Sequence, residues 1–547
     1  MKFIFLIIIS IGFSFPPSFN LDRNAEIVNE GLPDNGIIDI EAILHNQLYF
    51  GTSSGLGRVD INGEELIFST VMNNAMPEGG NPALTIDGNV IAVSGVTTYY
   101  SAATESNEPK GTGIAYSVDY GDTWKFMEQP IVENPEEGLF HQIEWGGQTL
   151  QILAVTTAVN NVSYDLAIGE SYIYSTSWAG GLQRFDYINE EEPFTDLDGN
   201  DQWDDGEAYD DINENGQWDD EPQWEIIPLP MDDQDSLICG DIDIDVYELN
   251  PKDPGDGGNH NHKGFSVFIE DEIIWVGTAN GLNKGVIVND CIEWTHFSTA
   301  DGLTGNWVVG IDFGLSRLWA ITWATVSTES TGLSYSFDHG VTWQYVDFFT
   351  NNGTKVYNLE ISQNRIYAST IEGLYVSEDG EHWELIPDFI DSTTGETILD
   401  DAVYTAHVPY GTYEVWVGTG DGLAIRDSNG FVDIHQFWEA TVSPENGDFN
   451  FSVYPNPFYV KDHNVRGGSG HVRFVYNVGS NSIINIYDFS MDHVVKLSNS
   501  HSAGNNGESE MIWDGRNSRG KNVANGVYFC KLTASGQDYW TKLVVIN

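Results

Sequence analysis

IWVGTANGLNKG, from Ile274 to Gly285, is a short apolar run, a Gly-Thr pair, two further residues and a Gly-Leu pair. A run of that length bounded by turn residues reads as a strand, and Thr-x-x-Gly between two such runs reads as a hairpin. A lone hairpin buries too little to stand by itself, so what matters is how often the chain writes it. LYFGTSSGLGRVD from Leu48 and VWVGTGDGLAIRDSNG from Val415 repeat it closely. YIYSTSWAGGLQRFD from Tyr172, IYASTIEGLYVSEDGEHW from Ile366 and LWAITWATVSTESTGLSYSFDHGVTW from Leu318 repeat it with changes. VIAVSG from Val90, resumed by GIAYSVDYGDTW, is a seventh copy split by an insertion.

Uninterrupted copies recur at roughly 40–50 residues, the period of propeller blades. Each unit divides into four short strands. In the sixth, KVYNLEIS is the inner strand, RIYASTI the second, GLYVSED the third and HWELIP the outer one. One such sheet cannot cover both of its faces, whereas seven packed radially can, and the ring leaves only short edges. The expected fold is all-β: a seven-bladed β-propeller over residues 21–447, then a small Ig-like β-sandwich over 448–547. The boundary is also a change of charge. The chain carries 83 acidic against 22 basic residues, a net −61, yet from Asp448 onward it has 8 acidic and 9 basic ones.

That charge repels phosphate backbones and anionic headgroups, so nucleic acid and membrane surfaces are excluded as partners, and divalent cations are favoured. The N-terminus, MKFIFLIIISIGFSF, has one lysine, a short apolar run and small residues near its end, and is read as a signal peptide over 1–14. It is too short for a membrane span, and no transmembrane segment is expected elsewhere. Of three cysteines, Cys239 and Cys291 either pair in an oxidising compartment or stay free and buried, as Cys530 is expected to do.

An acidic turn recurs inside the units. SVDYGDTW spans Ser117 to Trp124 and SFDHGVTW spans Ser336 to Trp343; SEDGEHW, Ser377 to Trp383, is one residue short. Asp in such a turn accepts hydrogen bonds from its own backbone, Gly supplies positive φ and Trp packs beside the next strand. These turns resemble the Asp-box (BNR) repeat of sialidases, sortilin-type receptors and plant-polymer glycosidases. The resemblance implies a structural role for Ser117, Asp119, Gly121 and Trp124, and for Ser336, Asp338, Gly340 and Trp343, on a rim away from any active site. The shorter turn should differ in geometry. The Trp-Val-Gly-Thr-x-x-Gly-Leu units resemble propellers in sensor ectodomains of two-component regulators, which implies ligand sensing or scaffolding.

YPNPF at Tyr454–Phe458, WDGRNSRGKNV at Trp513–Val523, NGVYFCKL at Asn525–Leu532 and the final KLVVIN resemble two families. One is the Ig-like domain of the flagellar hook-cap protein and the other the sorting domains of type IX secretion cargo. The second resemblance implies export across the outer membrane of a Gram-negative-type bacterium, with the secretion machinery as a partner and the cell surface or medium as destination.

DLDGNDQWDDGE places Asp196, Asp198, Asn200, Gln202, Asp204 and Glu207 at the offsets of a calcium loop, with oxygen donors suited to a hard cation. A second loop offers Asp211, Asn213, Asn215, Gln217 and Asp219, with Pro222 where the bidentate Glu would stand. No helical pattern flanks either, so they look like helix-free calcium loops, inserted over 196–222 in the third blade's outer hairpin. Calcium is the expected cofactor, with a solvated acidic insertion that orders no metal as the alternative. His260 and His262, two apart in a Gly-rich loop, read as plain loop rather than as a zinc site.

No arginine triad assembles for a sialidase: Arg58, Arg184 and Arg426 fall in third strands, and Arg317 and Arg365 in first hairpins. No nucleophile motif, phosphate loop or cofactor fingerprint occurs, and no catalytic residue is assigned. Loops after second strands and between blades should build the ligand face, among them Thr97–Thr112, Ile131–Asn161, Met231–Lys263 and Asp388–Asp401. Trp178 and Trp323, at matching second-strand ends, are the candidate ligand-binding residues, with packing as their alternative role. The sequence reading is therefore a secreted or cell-surface, non-catalytic, calcium-stabilised propeller binding a protein or glycan. The alternative is a carbohydrate-active glycoside hydrolase on the same propeller, with Glu105, Asp400 and Asp401 among the available acids.

Overall fold

The computed structural model describes residues 25–546 apart from 28–30, 45, 64, 102–105, 130–139, 154–160, 179, 189–194, 196–202, 204–207, 209–223, 251–257, 271, 289–290, 363, 387–388, 395–397, 399, 401, 441–450, 455–457, 461–470, 477–481, 490, 499–500, 504–507 and 535–536. The expected signal peptide and all eleven expected calcium ligands lie outside the described residues.

Among the described residues, seven antiparallel sheets of four successive strands follow one another along the chain, the fourth sheet gaining a fifth strand. Their inner strands are Ile37–Leu44, Leu84–Asp87, Ser163–Ile168, Gly264–Glu270, Trp307–Gly314, Val356–Ser362 and Val403–His407. Each inner strand packs on the next, and the seventh packs on the first, so the sheets close into a ring of blades. Trp416 of blade 7 shares a core with Ile37, Leu48 and Phe50 of blade 1, and Ala25–Ile27 pairs with Trp438–Ala440 beside that seam.

The Thr-x-x-Gly signature has a local physical cause. In blades 1, 4, 6 and 7 the threonine hydroxyl donates to the glycine carbonyl, Thr52 to Gly55, Thr278 to Gly281, Thr370 to Gly373 and Thr419 to Gly422, at 2.7–3.1 Å. The same oxygen accepts the N–H of the residue two further on. Those glycines lie at φ between +120° and +137°, which a side chain would strain. The turn is thus specified by four residues and can be copied anywhere in the chain.

The expected loops before and after blade 3 carry extra structure. Phe140–Trp145 and Gln148–Leu153 form a hairpin that Glu248–Leu249 joins in parallel. Ser236–Leu237 adds to the outer edge of blade 4, and Cys239 is disulfide-bonded to Cys291 on that outer strand. The segment after Thr97 also departs from a loop, because Val90–Ser101 and Ser106–Ser117 continue pairing beyond the blade as a two-stranded ribbon. From residue 452, a four-stranded and a five-stranded sheet enclose a separate core that includes Phe458, Phe474, Trp513, Leu532 and buried, free Cys530.

Candidate functional site

The acidic turns are joinery between blades. Ser117 Oγ donates to Asp119 Oδ1 at 2.8 Å and accepts the N–H of Gly121, while Asp119 accepts both the N–H and the hydroxyl of Thr123. Ser336, Asp338, Gly340 and Thr342 repeat the pattern. These bonds, the Thr342 hydroxyl first, hold the Asp338 carboxyl down at about 2. The short turn differs as its length requires. The longer turns hold Tyr120 and His339 at positive φ, and the short one omits that residue, so Asp379 accepts the N–H groups of Glu381 and His382 instead. Each glycine then abuts an aromatic of the preceding blade's second strand. A Cβ on Gly340 would lie 2.7 Å from Cη2 of Trp275, and one on Gly380 would lie 2.6 Å from Cη2 of Trp319. Trp124 and Trp383 fix the turns further by donating their indole N–H to the glycine carbonyls of Gly121 and Gly380.

These turns join third to fourth strands. The inner strands begin at the other end of the ring, beside the second-to-third hairpins, and that end has a distinct chemistry. Near its start, the inner strand of six blades skips one residue in its register with the second strand. The residues skipped are Ile38, Tyr164, Phe265, Val309, Tyr357 and Tyr404, and all six line one axial cavity of about 430 Å³. A bulge re-aims its side chain, and here it builds a collar around the axis. Tyr164 stacks on Phe265 with centroids 6.0 Å apart, and Tyr357 meets Tyr404 at 5.8 Å.

The residue after the bulge is polar in several blades and reaches the next inner strand. Asp39 accepts the N–H of Leu84, Asp165 that of Val267, Ser266 Oγ donates to the Val308 carbonyl, and Asn358 Nδ2 donates to Thr405 Oγ1. Below this layer Glu41, Asp312 and Glu360 also line the cavity. Burial raises the Asp39 carboxyl to about 6 and those of Asp165 and Asp312 to about 7. Sequence reasoning missed these acids. The available signal was acidic residues in IIDIEA, SYDLAI and GIDFG, where alternation suggests a solvent face that a closed ring does not have.

Trp323 lies in the cavity wall, its indole N–H donated to the Val356 carbonyl at 3.0 Å and its ring against Tyr357. Trp178 is half-buried against Phe265 and Trp307. A lysine stands over each ring, Lys263 at 4.7 Å from Trp178 and Lys355 at 4.5 Å from Trp323. One face of each tryptophan is therefore occupied by a cation. Asp400 is buried, with Ala402 N–H on its Oδ1, while Glu105 and Asp401 lie outside the described residues. Arg58, Arg184 and Arg426 are on third strands, and Arg317 is wrapped by Trp319, Tyr335 and Phe337. His262 is buried, and burial lowers its imidazole to about 4. Among the described residues, no three His, Cys, Asp or Glu side chains are arranged to hold a metal ion.

No family model matches this chain, and no curated protein matches it. Solved structures do. PorZ, a surface component of the type IX secretion system of Porphyromonas gingivalis, is 13% identical with a TM-score of 0.39; the match covers 92% of this chain and 64% of that one. YCF48 bound to D1 peptide is 12% identical with a TM-score of 0.36, over 78% and 99% of the two chains. The extracellular domain of BT3049 from B. thetaiotaomicron is 11% identical with a TM-score of 0.29, over 93% and 78%.

Proposed function

We propose that this chain is an extracellular, non-catalytic propeller that takes a protein or glycan ligand at the aromatic mouth of its axial cavity. The collar carries the reading: Tyr164, Phe265, Tyr357 and Tyr404 stand around one opening, on the end of the ring away from the acidic turns, with carboxyls behind them. Rings that present a flat apolar face above a few polar groups are the usual lining of ligand sites. A glycoside hydrolase on the same propeller is the second reading. It is favoured by Asp165 and Asp312, which share this cavity and are held protonated toward neutral pH, as a general acid must be.

One experiment separates the two. The full chain is probed on a glycan array and against surface-protein extracts, and the same polysaccharides are assayed for hydrolysis. The first reading expects binding that Tyr357→Ala with Tyr404→Ala weakens at least tenfold, and no released product. Turnover abolished by Asp165→Asn or Asp312→Asn would replace it with the second. Binding untouched by the tyrosine pair would move the ligand off the collar.

Export is part of the reading, supported by the apolar N-terminus and by the Cys239–Cys291 disulfide, a bond typical of oxidising compartments. Delivery by residues 448–547 rests on their sorting-domain motifs. Calcium rests on the spacing of Asp196–Glu207 and on its neck, where Thr195 N–H donates to the Ala208 carbonyl at 2.7 Å. Extracellular calcium loops bind with dissociation constants on the order of 10⁻⁴–10⁻³ M. Millimolar calcium should therefore protect 196–222 from proteolysis, magnesium should protect less, and Asp196→Ala with Glu207→Ala should abolish the effect. An identical cleavage pattern with calcium and with chelator would remove calcium from the reading.

A further inference from the structure

Around the ring axis, five carboxyl groups from four blades share one cavity: Asp39 and Glu41 from blade 1, Asp165 from blade 3, Asp312 from blade 5 and Glu360 from blade 6. Among the described residues, no lysine or arginine lines it. A basic group, His407 of blade 7, lies against it, its Nδ1 3.6 Å from Glu360. Blades 2 and 4 turn Leu84, Thr85, Val267 and Phe268 toward the cavity, none of which titrates. The phenols of Tyr164, Tyr357 and Tyr404 are pushed above their ordinary value by burial and stay neutral.

Three of these carboxyls are also ties between blades. Asp39 accepts Leu84 N–H at 3.3 Å, Asp165 accepts Val267 N–H at 3.0 Å and Glu360 accepts Val408 N–H at 3.0 Å. The groups that would repel one another when ionised are therefore the groups that hold adjacent inner strands together. We propose that Asp39, Glu41, Asp165 and Asp312 form a pH-responsive lock on the propeller: protonation removes the repulsion among them and lets the ring close tightly, whereas ionisation strengthens each N–H tie singly but sets the charges against one another across the axis and loosens the ring.

The sign follows from the direction of the shifts. Asp39, Asp165 and Asp312 are raised from 3.8 to about 6, 7 and 7, burial first, and Glu41 is raised by burial and by Asp39, Glu360, Asp312 and Asp165. A carboxyl whose folded value lies above its unfolded one costs no stability below the unfolded value. The cost enters as pH rises past about 4, and for the three aspartates most of it is present by about 7–8. Ring stability from these groups therefore falls between those limits.

The overall negative charge pushes stability in the same direction, so the readout is a difference between proteins. Glu41→Gln with Asp312→Asn removes two axial charges, and among the described residues the bond at risk is the Phe313 N–H to Asp312 Oδ1, which an amide oxygen still accepts. In the full chain, melting temperatures of wild type and variant should coincide near pH 4 and separate progressively up to pH 8, the variant melting several degrees higher. At pH 8 the amides of Leu84, Val267 and Val408 should exchange at least threefold more slowly in the variant. A temperature difference independent of pH, or unchanged exchange at those amides, overturns the lock. Should the double variant fail to fold, Glu41→Gln alone carries the test with both readouts and half the separation.

Discussion

Trp275→Ala should destabilise the propeller by about 3–5 kcal/mol, the usual cost of deleting a buried large aromatic. Trp275 is fully buried on the second strand of blade 4, within a core that also holds Val308, Leu318 and Ala320 of blade 5 and Trp343 of its acidic turn. Its ring is the surface against which Gly340 closes, and Lys284, which stands 5.2 Å over the ring, donates to the His339 carbonyl in the same turn. The turn and the tryptophan should therefore be coupled. Gly340→Ala alone should cost about 1–3 kcal/mol, since its Cβ would overpack Trp275. At φ +91° a further strain of order 1 kcal/mol is independent of the tryptophan. In the double variant the truncated ring makes room for the methyl group, and the combined loss should be smaller than the sum by at least ~0.5 kcal/mol. Denaturant unfolding of the four proteins measures this. Strict additivity would mean that the acidic turn is a local hairpin device with no part in joining blades.

What was legible in the sequence divides along the range of the interactions. The hairpin of Thr278 and Gly281 closes within four residues, and the turn of Ser336, Asp338 and Thr342 within seven, so each copy carries its own instructions wherever it falls. Those copies made the blades readable. The axial carboxyls were not, because Asp39 and Glu41 owe their burial to strands hundreds of residues away, such as the one carrying Glu360. On one strand in isolation, IIDIEA alternates like any half-exposed edge. The same limit applied to Cys239 and Cys291. Their pairing depends on Ser236–Leu237 lying on the outer strand of blade 4, and no local signal announces that. Trp178 and Trp323 were chosen by position, but the lysines over their rings come from the lead-in to the next blade, a contact that spacing does not encode.

Deleting residues 448–547 should leave a folded ring that no longer reaches the cell surface. The two parts have separate cores: Phe458, Phe474, Trp513, Leu532 and Leu543 pack with one another, whereas the ring is closed by Trp416 on Phe50 and by the pairing of Ala25–Ile27 with Trp438–Ala440. All of the closing residues are retained in the truncated chain. Among the described residues the truncation removes the ion pair of Arg473 with Asp421 at 2.9 Å, and that pair tells the two outcomes of tampering apart. Asp421 is buried in the hairpin of blade 7, so Arg473→Met in the full chain leaves its charge covered without that partner. Breaking a buried pair from one side costs about 3–5 kcal/mol. Truncation removes Arg473 together with the cover it provides, and Asp421 gains water in place of the guanidinium. The truncated chain should consequently melt closer to wild type than Arg473→Met does, while accumulating inside the envelope. Fractionation of the producing cells, with melting curves on the purified chains, reads both effects. Normal surface delivery of the truncated chain would refute the sorting role, and an unfolded truncated chain would show that the ring leans on the sandwich.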